Sequence, residues 1–99
     1  MPKATPLHRS INLFPNGIKV ERTIWQVPTP VFPCTHPFKY SLYCGRPGER
    51  LVAYDNERGK GDHKHIMGEE FPYVWVSGKQ LMADFRADIL EHCGVRLDD

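Results

Sequence analysis

Cysteine is scarce in this chain. Cys34, Cys44 and Cys93 are an odd number and form no C-x-x-C pair, which argues against a disulfide framework and for reduced thiols. Cys44 and Cys93 read as small core residues on a strand and a helix. No apolar run approaches the ~20 residues that a membrane-spanning helix needs. The stretch from Met1 to Ser10 lacks the apolar centre of a signal peptide, so a cytoplasmic location with no membrane partner is expected. Internal repeats and low-complexity tracts are absent, and nothing marks a second domain. Gly59-Lys60-Gly61-Asp62 lacks the Gly-Lys-Ser/Thr ending and the strand–loop–helix context of a P-loop, so no nucleotide site is expected there.

What is present suits one small domain spanning residues 1–99. The balance of 40% hydrophobic and 25% charged residues is that of an ordinary soluble globule. A net charge of +1 hides a gradient. Residues 1–66 carry ten Lys/Arg against five Asp/Glu, and residues 67–99 carry three against seven. The basic part could face a polyanion, and the acidic end could meet a basic partner.

The hydrophobic pattern predicts an α+β fold. Residues 1–17 read as an irregular segment ending in the turn signals Phe14-Pro15 and Asn16-Gly17. Ile18 to Val27 alternates as a strand does. Four prolines between Pro28 and Pro37 then force an extended surface crossing. Phe38 to Cys44 and Arg50 to Asp55 form a hairpin across Gly45-Arg46-Pro47-Gly48-Glu49. A short strand at His63–Met67 and another at Tyr73–Val76 complete four to five antiparallel strands within residues 18–76. A helix over residues 77–94 follows. Ser77 and Gln80 form a capping box, Leu81, Phe85, Ile89 and Cys93 make an apolar stripe, and Gly94 ends it. One sheet face needs a cover and this helix supplies it.

The chemistry concentrates in Tyr54-Asp55-Asn56-Glu57-Arg58-Gly59-Lys60-Gly61-Asp62-His63-Lys64-His65-Ile66. In an extended segment His63 and His65 share one side, with Cβ atoms about 7 Å apart. Imidazoles titrate near neutral pH. A base to take the 2′-hydroxyl proton, an acid for the leaving 5′-oxygen and a cation for the phosphate suffice to cleave RNA without metal or cofactor. Lys64, Lys60 or Arg58 could supply the cation. Tyr40, Tyr43, Tyr54 or Tyr73 could stack on bases if exposed. A second reading makes His63 and His65, with Asp62 or Asp55, the ligands of a divalent ion, to which His36 or Cys34 could add. Asp84, Asp88 and Glu91 read as a solvated helix face, and Trp25 and Trp75 as core or half-buried aromatics.

The Tyr54–Glu57 and Gly61–Ile66 blocks, then Pro72-Tyr73 and Leu81–Phe85, resemble the TumE-type toxins of bacterial toxin–antitoxin pairs. Thr23-Ile24-Trp25 and Tyr40-Ser41-Leu42 add to a likeness that covers roughly residues 13–92. The resemblance implies a cytoplasmic, nuclease-like growth inhibitor paired with a helix-turn-helix antitoxin. Its motif falls here on Tyr54, Asp55, Asn56, Asp62, His63, His65 and Tyr73. Chemistry then assigns roles: His63 and His65 as the acid/base pair, Asp55 or Asp62 orienting a ring, and Lys64 and Arg58 on phosphate. Lys60, Asn56, Tyr54 and Tyr73 complete the expected substrate contacts. The expected partners are RNA and the antitoxin, with self-association left open. The competing readings are a non-catalytic RNA- or protein-binding module and a divalent-metal-dependent nuclease.

Overall fold

Alternating apolar and polar residues separated by glycine turns leave the chain few options other than a meander. In a computed structural model residues 3–97 are described. Met1, Pro2, Asp98 and Asp99, at the ends of the expected 1–99 span, lie outside the described residues. The strands are β1 (Thr5–Leu13), β2 (Lys19–Gln26), β3 (Phe38–Arg46), β4 (Glu49–Glu57), β5 (Gly61–Ile66) and β6 (Glu69–Pro72). They form one antiparallel sheet in chain order. The helix α1 (Gly78–Cys93) packs on β4. The α+β class therefore holds, with six strands where four to five were expected.

Two elements differ from the sequence reading. The 1–17 segment contains β1, a sheet edge paired with β2 along its length. Its mixture of proline and polar residues hid a strand that needs only one partner. Tyr73–Val76 keeps the alternation of a strand, with Val74 and Val76 outward, but among the described residues its tie to a strand is a single backbone hydrogen bond, Tyr73 N–H to the Asp62 carbonyl at 3.2 Å. Pairing ends at Pro72, and the extended chain carries Trp75 across to His36, where the rings stack at 3.9 Å.

The core lies between α1 and one sheet face. Val20, Ile24, Tyr40, Leu42, Cys44, Val52 and Tyr54 meet Leu81, Phe85 and Ile89. Burial and the neighbouring Cys93 push the Cys44 thiol up to about 12, so it stays protonated there. Ser77 Oγ accepts the Gln80 backbone N–H at 3.0 Å, and left-handed Gly94 ends the helix with its own N–H and that of Val95 turned back onto the last turn. Only half of the expected capping box forms, because the Gln80 side chain donates forward to Asp84 at 2.7 Å.

A β-bulge interrupts the β3–β4 ladder. Cys44 faces Val52 while Gly45 faces Arg50, so Leu51 is the extra residue. Leu51 and Val52 both enter the core, and Arg50 is returned to the opposite, uncovered face. Gly45 is needed beside the bulge: a Cβ there would lie 2.5 Å from Tyr43 Oη and closer still to the Glu49 carbonyl oxygen. Gly45→Ala is expected to lower stability by about 1–3 kcal/mol, measured by urea denaturation.

Candidate functional site

Strand β5 has different neighbours on its two sides. His63 and His65 share the side away from α1, whereas Asp62 points the other way against His36 and Tyr40, and Lys64 faces α1. The sheet ladder places Asp55 beside His63 and Ala53 beside His65 on β4, and Pro72 and Glu70 beside them on β6. The two imidazoles meet edge to face with centroids 5.2 Å apart. His63 is only 4% exposed at its side chain and His65 13%, with Asp55 at 25%.

Hydrogen-bond partners settle the tautomers. Nδ1 of His63 lies 3.0 Å from the Gly61 carbonyl oxygen, which only accepts, so Nδ1 carries a proton. Its Nε2 touches Asp55 Oδ1, with Glu57 at 3.8 Å and Glu70 at 4.0 Å. The Nε2–Oδ1 contact is not aligned as a hydrogen bond, and both atoms are buried. A proton or a cation is what would make this approach favourable. His65 is set up differently. Arg50 donates to its Nδ1 at 3.1 Å, so that nitrogen holds a lone pair, and Nε2 faces Glu70 at 3.5 Å. Burial, then Arg50, then His63 lower the His65 pKa from 6.5, so the ring is neutral at physiological pH.

The remaining predicted residues separate by face. Asp62 is turned away from the histidine pair: it accepts from Tyr40 Oη at 2.6 Å and lies 2.9 Å from His36 Nε2. Because His36 Nδ1 accepts the Phe38 N–H, its Nε2 is the donor to Asp62. Lys64 lies on the helix side, 3.3 Å from Asp88 and over the Tyr54 ring. Tyr54 is buried and donates to Asp88, and Tyr73 donates to Asp84 at 2.6 Å. Burial and these carboxylates push both phenol pKa values up. Asp84 and Asp88 are thus fasteners between helix and sheet, not the solvated face expected of them. Tyr40 and Tyr54 have no surface for stacking. Lys60 pairs with Glu70 at the rim of the histidine face, and Arg58 is exposed in the β4–β5 turn.

Asn56 is fully buried. Its amide accepts from the Tyr40 N–H at 3.1 Å and donates to the Phe38 carbonyl at 2.8 Å. This motif residue is placed as a strand fastener, not a substrate contact.

Among the described residues three clusters could surround a metal ion: Asp55, His63 and His65, then Cys34, His36 and Asp62, and on the helix Asp88, Glu91 and His92. The second is already hydrogen-bonded within itself, and burial raises the Cys34 pKa. In the first, Arg50 covers the lone pair of His65, leaving Asp55 and His63 as the ready donors. A larger groove of about 550 Å³ lies elsewhere, between β6 and α1, and contains neither histidine.

Arg50, Glu57 and Glu70 were missed by sequence reading. Arg50 reaches His65 only because the bulge reverses its face. Glu70 had a partial signal in Gly68, a turn residue: the structure makes Met67-Gly68 a two-residue hairpin turn with both φ positive, which sets His65 opposite Glu70.

These features define a small sheet-and-helix protein with a titratable, charged cluster on its open face. The family model described as Toxin TumE matches residues 3–92, and the chain belongs to that family. It is accordingly a toxin component, for which an antitoxin is the corresponding partner. No curated protein and no solved structure matches it. No helix among the described residues is long and apolar enough to cross a membrane.

Two outcomes follow. Asn56→Ala orphans a buried N–H and a buried carbonyl, and is expected to cost about 2 kcal/mol or more in chemical denaturation. An NMR titration is expected to place the His65 midpoint below 6.5, and Arg50→Ala to move it upward by removing a neighbouring positive charge.

Proposed function

We propose that this toxin is a metal-independent endoribonuclease in which His63 and His65 form the acid/base pair. The observation that supports this best is the shared face away from the helix: two imidazoles 5.2 Å apart, one against a carboxylate and the other against a guanidinium. A scissile phosphate competes for Arg50, since guanidinium groups bind phosphate oxygens in a bidentate manner. Its arrival frees the His65 Nδ1 lone pair to accept the 2′-hydroxyl proton. The 2′-oxygen then bonds to phosphorus and the bond to the 5′-oxygen breaks. His63, oriented by Asp55 and the Gly61 carbonyl, supplies a proton to the leaving oxygen. Lys60 stands at the rim for the flanking phosphate. DNA lacks the attacking hydroxyl, so RNA is the substrate. A cognate helix-turn-helix antitoxin holds the toxin inactive in the cytoplasm.

The test is expression of His63→Ala and His65→Ala beside the wild type, with purified variants incubated with labelled RNA. Each substitution is expected to reduce cleavage by about 100-fold or more and relieve growth arrest, with circular dichroism unchanged. Undiminished toxicity in the double variant would overturn the proposal. Cleavage is expected to persist in chelator. Activity lost there and restored by a divalent ion would instead favour a metal held by Asp55 and His63, whose facing buried atoms lack aligned partners.

A further inference from the structure

The open sheet face extends well beyond the histidines. Across the strands, Glu21, Tyr43, Ala53 and His65 form one row, and Thr23, Ser41, Asp55 and His63 form the next. Tyr43 is therefore two strands from His65, about 10 Å, with only the small Ala53 between them. Trp25 lies beyond Thr23 on the same face and is 37% exposed.

Tyr43 is held differently from the other tyrosines. Its ring lies over Gly45, where even a Cβ would collide with Cζ, and its hydroxyl is 3.5 Å from the carbonyls of Arg46 and Glu49. A trough of about 230 Å³ lined by Glu21, Thr23, Ser41 and Tyr43 opens on one side of it. A second trough, of about 410 Å³, opens on the other side, with Lys19 and Arg46 in its wall. Lys19 also stands 5.8 Å from the Tyr43 ring centre. Lys19 pairs with Glu21 at 3.2 Å and Arg46 with Glu49 at 3.5 Å, so a phosphate would share these cations with carboxylates. A pinned aromatic ring between two troughs and in one row with His65 has the elements of a stacking platform for unpaired bases.

We propose that this face is a track for single-stranded RNA, with Tyr43 as the principal base-stacking residue and Trp25 as a second. The proposal rests on the nuclease reading for its ligand, and it adds the strandedness of the substrate and the path to the site. A duplex hides the π-faces of its bases in its own stack and cannot use Tyr43 this way.

The experiment uses a fluorescent 2′-O-methyl oligoribonucleotide of about eight nucleotides, which offers no 2′-hydroxyl to cleave. Anisotropy titrations compare the single strand with the same strand annealed to its complement. Wild-type protein is expected to prefer the single strand. Tyr43→Ala and Tyr43→Leu are expected to weaken that binding by about 5- to 100-fold. Tyr43→Phe is expected to keep it near the wild-type value, and Trp25→Ala to weaken it. Leu90→Ser, on the helix, serves as a control that leaves it unchanged. Binding that is equal for duplex, absent altogether, or indifferent to Tyr43→Leu in a folded variant would overturn the track. Because the probe is not cleaved, failure of the nuclease reading would register separately, as intact binding without turnover of ordinary RNA.

Discussion

The site depends on how β5 is anchored from the helix side. Asp62 accepts hydrogen bonds from Tyr40 and His36, and Lys64 is held between Asp88 and the Tyr54 ring. Successive strand residues point to opposite faces, so these attachments force His63 and His65 outward together. A slip of one residue would turn the histidines to the helix side and move Asp62 and Lys64 to the other face. The interactions that make β5 part of the fold are therefore the same ones that present the imidazoles.

This division explains why the conspicuous central motif has two kinds of member. Tyr54, Asn56, Asp62 and Lys64 are consumed by architecture, along with Tyr73, Asp84 and Asp88. Each lends a polar group to a bond that ties the helix, the proline-rich crossing or a neighbouring strand to the sheet. Asp55, His63 and His65 remain on the other face, where no helix covers them. His63 is nearly sealed, with carboxylates and a second imidazole around it and Pro72 opposite it on β6. Polar neighbours of this kind hold the ring in one orientation.

The electrostatics of the pair are asymmetric. Three carboxylates lie near His63 Nε2, while a guanidinium covers His65 Nδ1. Two chemically identical side chains thereby sit in opposite electrostatic surroundings. Arg50 contributes through the backbone: a single extra residue at the bulge turns it from the core side to the open side. Gly45, opposite that bulge, makes room for both the Glu49 carbonyl and the Tyr43 ring.

Strand alternation at Ile18–Val27 and Phe38–Cys44, the return strand at Arg50–Asp55, the helix over 77–94 with its Ser77 and Gly94 ends, and the common side of His63 and His65 were all readable from periodicity and turn chemistry, because those are local properties of the chain. Residue type alone made Asp55 and Asp62 equivalent, Lys60 and Lys64 interchangeable, and the tyrosines equal candidates for stacking. Only the tertiary structure separated them, by setting Lys64 and Tyr54 against the helix and Asp62 and Tyr40 against the proline-rich crossing, and leaving Asp55, Lys60 and Tyr43 on the other side. It also brought in Arg50 and Glu70, whose place depends on a bulge and a hairpin register. Local spacing dictates which side chains travel together. Which of them meet across strands, and which face the helix covers, is decided by long-range pairing that no single segment contains.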